Sequence, residues 1–398
     1  MNEIKQLTSE DYEQVLALSQ FAFQYQLDES ALEKQKEWYG QHEMLGIYDG
    51  ETLASKLHMV SLNCYLNNEV WKVGGLAAIA TWPEYRRQGM AKDLMAQALL
   101  RMKEDGVTLS FLHPFSFSFY RRYGWDTLTS IQKYTIPMNT ITNYVTKGTV
   151  KRVGQDIQLL NHVYEQFAKQ YNGPLKRSEW WWKNRVFSSG EQATVWFNEQ
   201  DEPRGFLIYH VHKKEMLIHE WIHLDEGARK GLLSFVRQHD SMARTVKVMM
   251  VPEYDNLSYL FDEPTFKQEI EPYFMARIVD VKSFLEKFSF DWGEEETDFF
   301  FHIKDDFAQW NTGVYRIHRT DTSKNEVHYF PQNKKKMACA HPPKRGLRCD
   351  IQTLTVLLLG YKSPSFLYEL GKLEGKREEV KALEGRLSGN KTFFLDFF

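Results

Sequence analysis

Pro83-Glu84-Tyr85-Arg86-Arg87-Gln88-Gly89-Met90-Ala91 joins a short apolar run to an amphipathic stretch, and its reading decides the fold. Before it, Leu76-Ala77-Ala78-Ile79-Ala80 reads as a buried strand. After it, Leu94, Met95, Ala98, Leu99 and Met102 fall at the three- and four-residue spacing of one helix face. The junction has the form Arg-x-x-Gly-x-Ala, rich in donors and with a glycine where backbone must approach something closely. A strand, a short glycine-containing turn and a helix start make a ready anion site. The first N–H groups of a helix lack intrahelical acceptors, and its dipole favours negative charge there. No Gly-Lys-Ser/Thr follows and the three-glycine dinucleotide pattern is missing, so two commoner phosphate loops are excluded.

A second segment lies about thirty residues on. Leu109-Ser110-Phe111-Leu112 reads as the next strand and leads into His113-Pro114-Phe115-Ser116-Phe117-Ser118-Phe119-Tyr120-Arg121-Arg122-Tyr123-Gly124-Trp125. In this order the two segments resemble the GNAT N-acetyltransferases. The first matches that family's pyrophosphate loop, Arg/Gln-x-x-Gly-x-Gly/Ala, and Phe-Tyr-x-x-Tyr-Gly-Trp matches the segment after its fifth strand. The resemblance implies that backbone amides from Gln88 to Ala91 hold the pyrophosphate of CoA. It also implies that Ile79, Ala80 and Thr81 pair with the pantetheine arm and that Tyr120 sits beside the thioester sulfur. Aminolysis of a thioester expels a thiolate, and a phenol of pKa about 10 can protonate it without being ionised at neutral pH. The alternative for Tyr120 is a core aromatic with a satisfied hydroxyl, one of 20 tyrosines in the chain.

Composition narrows the class. The 398 residues suffice for two or three domains, and 15% aromatic content predicts aromatic-lined cores and pockets. A net charge of −3 leaves no basic excess to neutralise nucleic-acid phosphates. Cys64, Cys339 and Cys349 are too few and too scattered for a disulfide framework or a metal site, which fits a reducing cytoplasm. The first residues lack a signal-peptide pattern and the longest apolar run, 354–360, is too short to span a bilayer, so a cytoplasmic protein is expected. His210, His212, His219 and His223 sit at strand spacing, but on two separate strands and with no evident carboxylate partner, so no metal is expected. Trp180-Trp181-Trp182 could stack an acceptor but reads better as packing. Asp28, Glu29, Glu33 and Asp396 could hold a cationic acceptor or be solvated surface carboxylates.

Along the chain, Thr8-x-x-Asp11 caps a first helix, 31–39 reads as a second, and 44–48, 52–62 and 68–73 as strands with a turn at Asp49-Gly50. With 128–134 as a further strand, the element order to residue 138 is that of a GNAT domain. A second unit, 139–289, carries a helix over 156–171, strands at 193–197, 205–210 and 215–224, and a helix over 228–240. Arg229 and Gly231 read there as remnants of a cofactor loop whose spacing is lost. A third unit, 290–398, has strand-like stretches at 299–303, 312–319, 325–330 and 337–340, solvated turns at 321–323 and 334–336, and helices at 350–359 and 365–370. It closes on Phe393-Phe394-Leu395-Asp396-Phe397-Phe398, too apolar for a solvated terminus.

The fold class expected is mixed α/β: two tandem GNAT-like domains and then a sterol-carrier-like domain. This order, with an aromatic C-terminus, resembles the Eis acetyltransferases over the whole chain. The resemblance implies an acetyl-CoA-dependent N-acetyltransferase acting on small polycationic amines such as aminoglycosides or polyamines, and a trimer-based or hexameric homo-oligomer. It assigns the general base to the α-carboxylate of Phe398 and the acid to Tyr120. Cofactor contacts fall on Ile79, Ala80, Thr81, Arg87, Gln88, Gly89, Met90, Ala91, Lys92, Phe115 and Ser116. A lysine-peptide acetyltransferase, or a lipid-binding protein working through its last domain, are the other readings. Gln88 and Phe115 depart from the usual pattern and bear on acyl and acceptor preference.

Overall fold

The computed structural model describes residues 3–188, 190–293, 298–319, 325–331 and 345–398. The first half carries strands β1 (Ile4–Leu7), β2 (His42–Asp49), β3 (Thr52–Leu66), β4 (Glu69–Thr81), β5 (Leu109–Leu112) and β6 (Asp126–Pro137). The second carries β7 (Thr149–Arg152), β8 (Gln192–Phe197), β9 (Pro203–His212), β10 (Glu215–His223), β11 (Thr245–Pro252) and β12 (Lys267–Ile278). All twelve join one mixed sheet in the order β1-β2-β3-β4-β5-β12-β6-β11-β10-β9-β8-β7.

Only two joins in that sheet are parallel. Val73–Leu76 of β4 pairs with Leu109–Leu112, and Glu215–Ile218 of β10 pairs with Thr245–Val248. Each parallel join is bridged by one helix, Met90–Glu104 in the first half and Glu226–Arg237 in the second. A parallel pair needs such a crossover, and its repetition marks two copies of one element order. The copies exchange strands. β12 lies beside β5, while β6 pairs with β12 on one edge and β11 on the other, so neither half closes its own sheet.

The helix Met90–Glu104 buries Met90, Leu94, Met95, Ala98, Leu99 and Met102 against Leu45, Leu57 and Leu76 on one face of the sheet. On the opposite face, Val60, Leu62, Trp71 and Phe111 meet Phe274, Phe394 and Phe398. A further sheet, β15-β14-β13-β16, is built from β13 (Phe299–Lys304), β14 (Gly313–Arg319), β15 (Asn325–Pro331) and β16 (Leu347–Asp350). No helix among the described residues is long and apolar enough to cross a membrane.

Several expectations change. The stretches 68–73 and 76–80 are one strand, continuous through Gly74 and Gly75; β1 and β16, each four residues long, were not anticipated. Thr8 and Asp11 cap a 3-10 turn that leads into the helix Tyr12–Phe23 rather than the helix itself. Arg229 and Gly231 lie inside a helix, not a loop: Arg229 pairs with Asp255 (2.6 Å), and Gly231 lets the Trp196 indole pack against the helix backbone. The strand expected at 337–340 and the turns at 321–323 and 334–336 lie outside the described residues. In the C-terminal tail Phe393, Phe394, Leu395 and Phe398 are buried, whereas Phe397 is 52% exposed.

Candidate active site

The pairing of β4 with β5 stops at Leu76–Leu112, yet β4 runs on to Thr81. On its other edge the register with β3 slips between the pairs Lys56–Ala80 and His58–Ala77, and Ala78 takes φ +49°. A bulge of this kind bends the strand, and here it turns β4 away from β5. The chain then makes a 3-10 turn at Pro83–Tyr85, passes Arg87 at φ +65°, and enters the helix through Gly89 at φ +84°. Gly89 brings no side chain to cap the helix, so the first N–H groups are left to another acceptor.

The corresponding helix of the second half starts differently. Its N-cap is Asp225, whose carboxylate accepts from the Ala228 N–H (2.9 Å) and from Arg204 (2.8 Å). An internal carboxylate fills the place that an external anion takes at an uncapped start.

Beside Gly89 opens a cavity of about 690 Å³. Ile79, Ala80, Thr81, Arg87, Gly89, Met90, Ala91, Lys92 and Phe115 line it together, although they come from a strand, a helix start and a distant loop. Gln88 and Ser116 are not in its wall. Gln88 donates to the Glu84 carbonyl, and Ser116 caps the short helix Phe117–Arg121 by accepting from the Phe119 N–H. Phe23, Phe119 and Tyr123 also line the cavity and were not anticipated. The signal for Phe23 is Phe21-Ala22-Phe23 at a helix end, two aromatics about half exposed beyond the buried Val15, Leu16 and Leu18.

Tyr120 is 4% exposed and stands next to the cavity, its ring 5.4 Å from that of Phe115 and 5.1 Å from that of Phe119. Burial drives its phenol pKa upward, which keeps the hydroxyl protonated. Phe398 lies on the opposite face of β4 from the helix Met90–Glu104, its ring against Gly75 and 5.2 Å from Phe274. His113 packs on the tail rather than on Tyr120, its ring 5.1 Å from Phe397 and 5.3 Å from Tyr273.

The tail is held by polar contacts that the sequence did not disclose. Arg177, fully buried, donates to Asp396 (2.9 Å) and bidentately to Glu220 (2.6 and 3.0 Å). Trp181 Nε1 donates to the same Asp396 oxygen (2.7 Å), and Arg185 donates to the Phe397 carbonyl (2.7 Å). Asp396 Oδ2 is buried without a hydrogen-bond partner. The residue Asp396 is in the wall of a second cavity of about 460 Å³, shared with Trp181, Glu191, Glu220, Tyr273 and Phe397. Of the tryptophan triplet, Trp181 and Trp182 are buried, and Trp180 stacks on Trp38 at 4.9 Å.

Three family models match the chain in series: acetyltransferase (GNAT) domains over residues 3–128 and 173–278, and a sterol carrier protein domain over 281–395. The chain thus carries two acetyltransferase (GNAT) domains in tandem followed by a sterol carrier protein domain, a series that supports an Eis-like, acyl-CoA-dependent acetyltransferase. N-acetyltransferase Eis of Mycobacterium tuberculosis is 21% identical over 159 residues, which span 37% of this chain and 39% of that relative. A probable N-acyltransferase from Enterococcus faecalis is similar over the full length of both chains, with 26% identity and TM-score 0.90. Eis1 of Mycobacterium abscessus shares the fold over both full lengths at 16% identity and TM-score 0.77.

Proposed function

We propose that the chain transfers the acetyl group of acetyl-CoA directly to a primary amine of a small cationic acceptor. The observation that carries this reading is the uncapped helix start at Gly89, opening on a cavity at the point where β4 parts from β5. Pyrophosphate would be held by amides from Gln88 to Ala91, with Arg87 and Lys92 beside it, and the pantetheine arm would run along Ile79, Ala80 and Thr81. The second cavity supports a cationic acceptor, because Asp396, Glu191 and Glu220 share its wall and Arg177 sets a single positive charge against the two buried carboxylates.

In this scheme the acceptor ammonium loses its proton to the Phe398 carboxylate, directly or through water. The free amine forms a bond to the thioester carbon, and the carbonyl electrons move onto oxygen beside the Ile79 amide. The oxygen electrons then re-form the carbonyl as the C–S bond breaks, Tyr120 protonates the leaving sulfur, and the nitrogen gives up its second proton, which restores the Tyr120 hydroxyl. A covalent acetyl-cysteine is disfavoured for Cys64, a core residue whose thiol burial pushes up to about 12. We place the enzyme in the cytoplasm, where acetyl-CoA is supplied, and as a homo-oligomer, which light scattering would check.

The test is release of CoA thiol from acetyl-CoA with a panel of aminoglycosides, polyamines and lysine peptides. Turnover with small polyamines or aminoglycosides supports the reading. Turnover confined to lysine peptides would replace the acceptor class, and failure to bind acetyl-CoA would remove the reading altogether.

A further inference from the structure

Lys56 on β3 is completely buried, and among the described residues no carboxylate acts on it as a counter-ion. Its Nζ donates to the carbonyl of Ala78 (3.0 Å), the residue at φ +49° in the β4 bulge. Nζ also lies 3.0 Å from His58 Nε2, and His58 Nδ1 lies 3.1 Å from His42 Nδ1. His42 Nε2 is buried and unpartnered, and the His58 ring packs at 4.7 Å on Tyr39. Burying an amine without a counter-ion favours its neutral form, and Lys56 is pushed down to about 7. Both histidines are held neutral by the same burial. The three side chains therefore form a hydrogen-bonded strut inside the first domain, ending on one backbone oxygen.

That oxygen matters because a trans peptide points its C=O and N–H in opposite directions. With the Ala78 carbonyl drawn inward to Lys56, the Ile79 N–H of the same peptide must point away from the lysine. Ile79 is part of the cavity wall. Ala78 has no glycine-like freedom, so something must hold its left-handed conformation, and the Lys56 hydrogen bond is placed to do so. A hydrogen bond accepted at the carbonyl also polarises the peptide and makes its N–H a better donor.

We infer that Lys56, braced by His58 and His42, is a positioning residue that fixes the Ala78–Ile79 peptide so that the Ile79 amide meets the thioester carbonyl of bound acetyl-CoA. The inference rests on the acetyl-CoA reading above and adds a group that touches neither substrate. It requires a hydrogen-bond donor at this position, not a charge.

The experiment is difference infrared spectroscopy of [1-13C]acetyl-CoA bound to the full chain, with binding measured separately by calorimetry. In the wild type the labelled carbonyl stretch is expected below its frequency in water. Lys56→Met should return it toward that frequency and lower turnover roughly 10²-fold, the size of losing one oxyanion donor, with acetyl-CoA affinity little changed. Lys56→Gln, which keeps a neutral donor, should retain most of the shift. Should Lys56→Met fail to fold, His58→Phe removes the brace and is expected to give the same loss of shift. An unchanged carbonyl frequency in a folded Lys56→Met or His58→Phe protein overturns the inference while leaving acetyl transfer intact. A wild-type protein that does not bind acetyl-CoA overturns the functional reading and this inference with it.

Discussion

A Cβ built on Gly75 would stand 2.6 Å from Cε2 of Phe398, so the last ring of the chain rests directly on the backbone of β4, the strand that lines the cavity beside Gly89. Gly75→Val should lift the tail, because Leu62 at 3.0 Å blocks the sideways escape. Turnover is expected to fall about 10²-fold, as for loss of a positioned base, while most of the fold survives. Carboxypeptidase should release Phe398 from this variant faster than from the wild type. Appending residues after Phe398 should cost the same activity at unchanged thermal stability, and a fully active extended protein would remove the carboxylate from the mechanism.

The loop at Gly89 separates steric from conformational demands. Nothing lies within 4 Å of a Cβ there, but the backbone sits at φ +84°. Gly89→Ala therefore meets only backbone strain, about 1 kcal/mol or somewhat more, and should weaken acetyl-CoA binding roughly tenfold. Gly89→Glu adds a negative charge beside the pyrophosphate and should abolish binding. Calorimetric titration checks both, and undiminished affinity in Gly89→Glu would take the loop out of the site.

Tyr120→Phe should lower turnover by about 10²-fold or more if the phenol is the acid. Burial raises the pKa of Tyr120 above the ordinary 10. A general acid works while protonated, so its loss should cause no fall in rate below about pH 10. A descending limb between pH 8 and 9 that vanishes in Tyr120→Phe would contradict the upward shift.

Arg177 pairs with two buried carboxylates at once, and removing it leaves both without a counter-ion. Arg177→Met should cost about 3–5 kcal/mol at neutral pH, read as a fall in melting temperature. Burial, its largest influence, already raises the pKa of Glu220, and Arg177 opposes that rise. In the variant the folded-state value therefore climbs further above the unfolded one. The folded state then binds more protons, and stability falls as pH rises through that window. Lowering the pH from 7.5 to 5.5 should accordingly raise the melting temperature of Arg177→Met relative to wild type. A gap independent of pH would show that the carboxylates are not the source of the loss.

That Ile79 to Thr81 and most of Arg87 to Lys92 line one cavity was legible because its determinants are local. Ile79 to Thr81 and Arg87 to Lys92 are neighbours in the chain, and a glycine at a helix start states its own backbone requirement. Gln88 was expected among them but is not in the wall, because adjacent residues of a turn face opposite ways and only the fold decides which faces in. Lys56 and His58 alternate with Ser55 and Leu57, which reads as the wet face of a half-buried strand. That face is dry because Tyr39, from the helix Glu29–Tyr39, covers it.

What the chain determines by itself is a loop that leaves helix N–H groups free, the order of its elements and a tail too apolar to stay in water. These rest on propensity, periodicity and burial within some fifteen residues of one another. Only the tertiary structure decided that β12 slots between β5 and β6, that Arg177 grips Asp396 from 219 residues away, and that Lys56 ends on the Ala78 carbonyl. No local period encodes such pairings. They exist because buried polar groups must find partners, and folding alone brings those partners within reach.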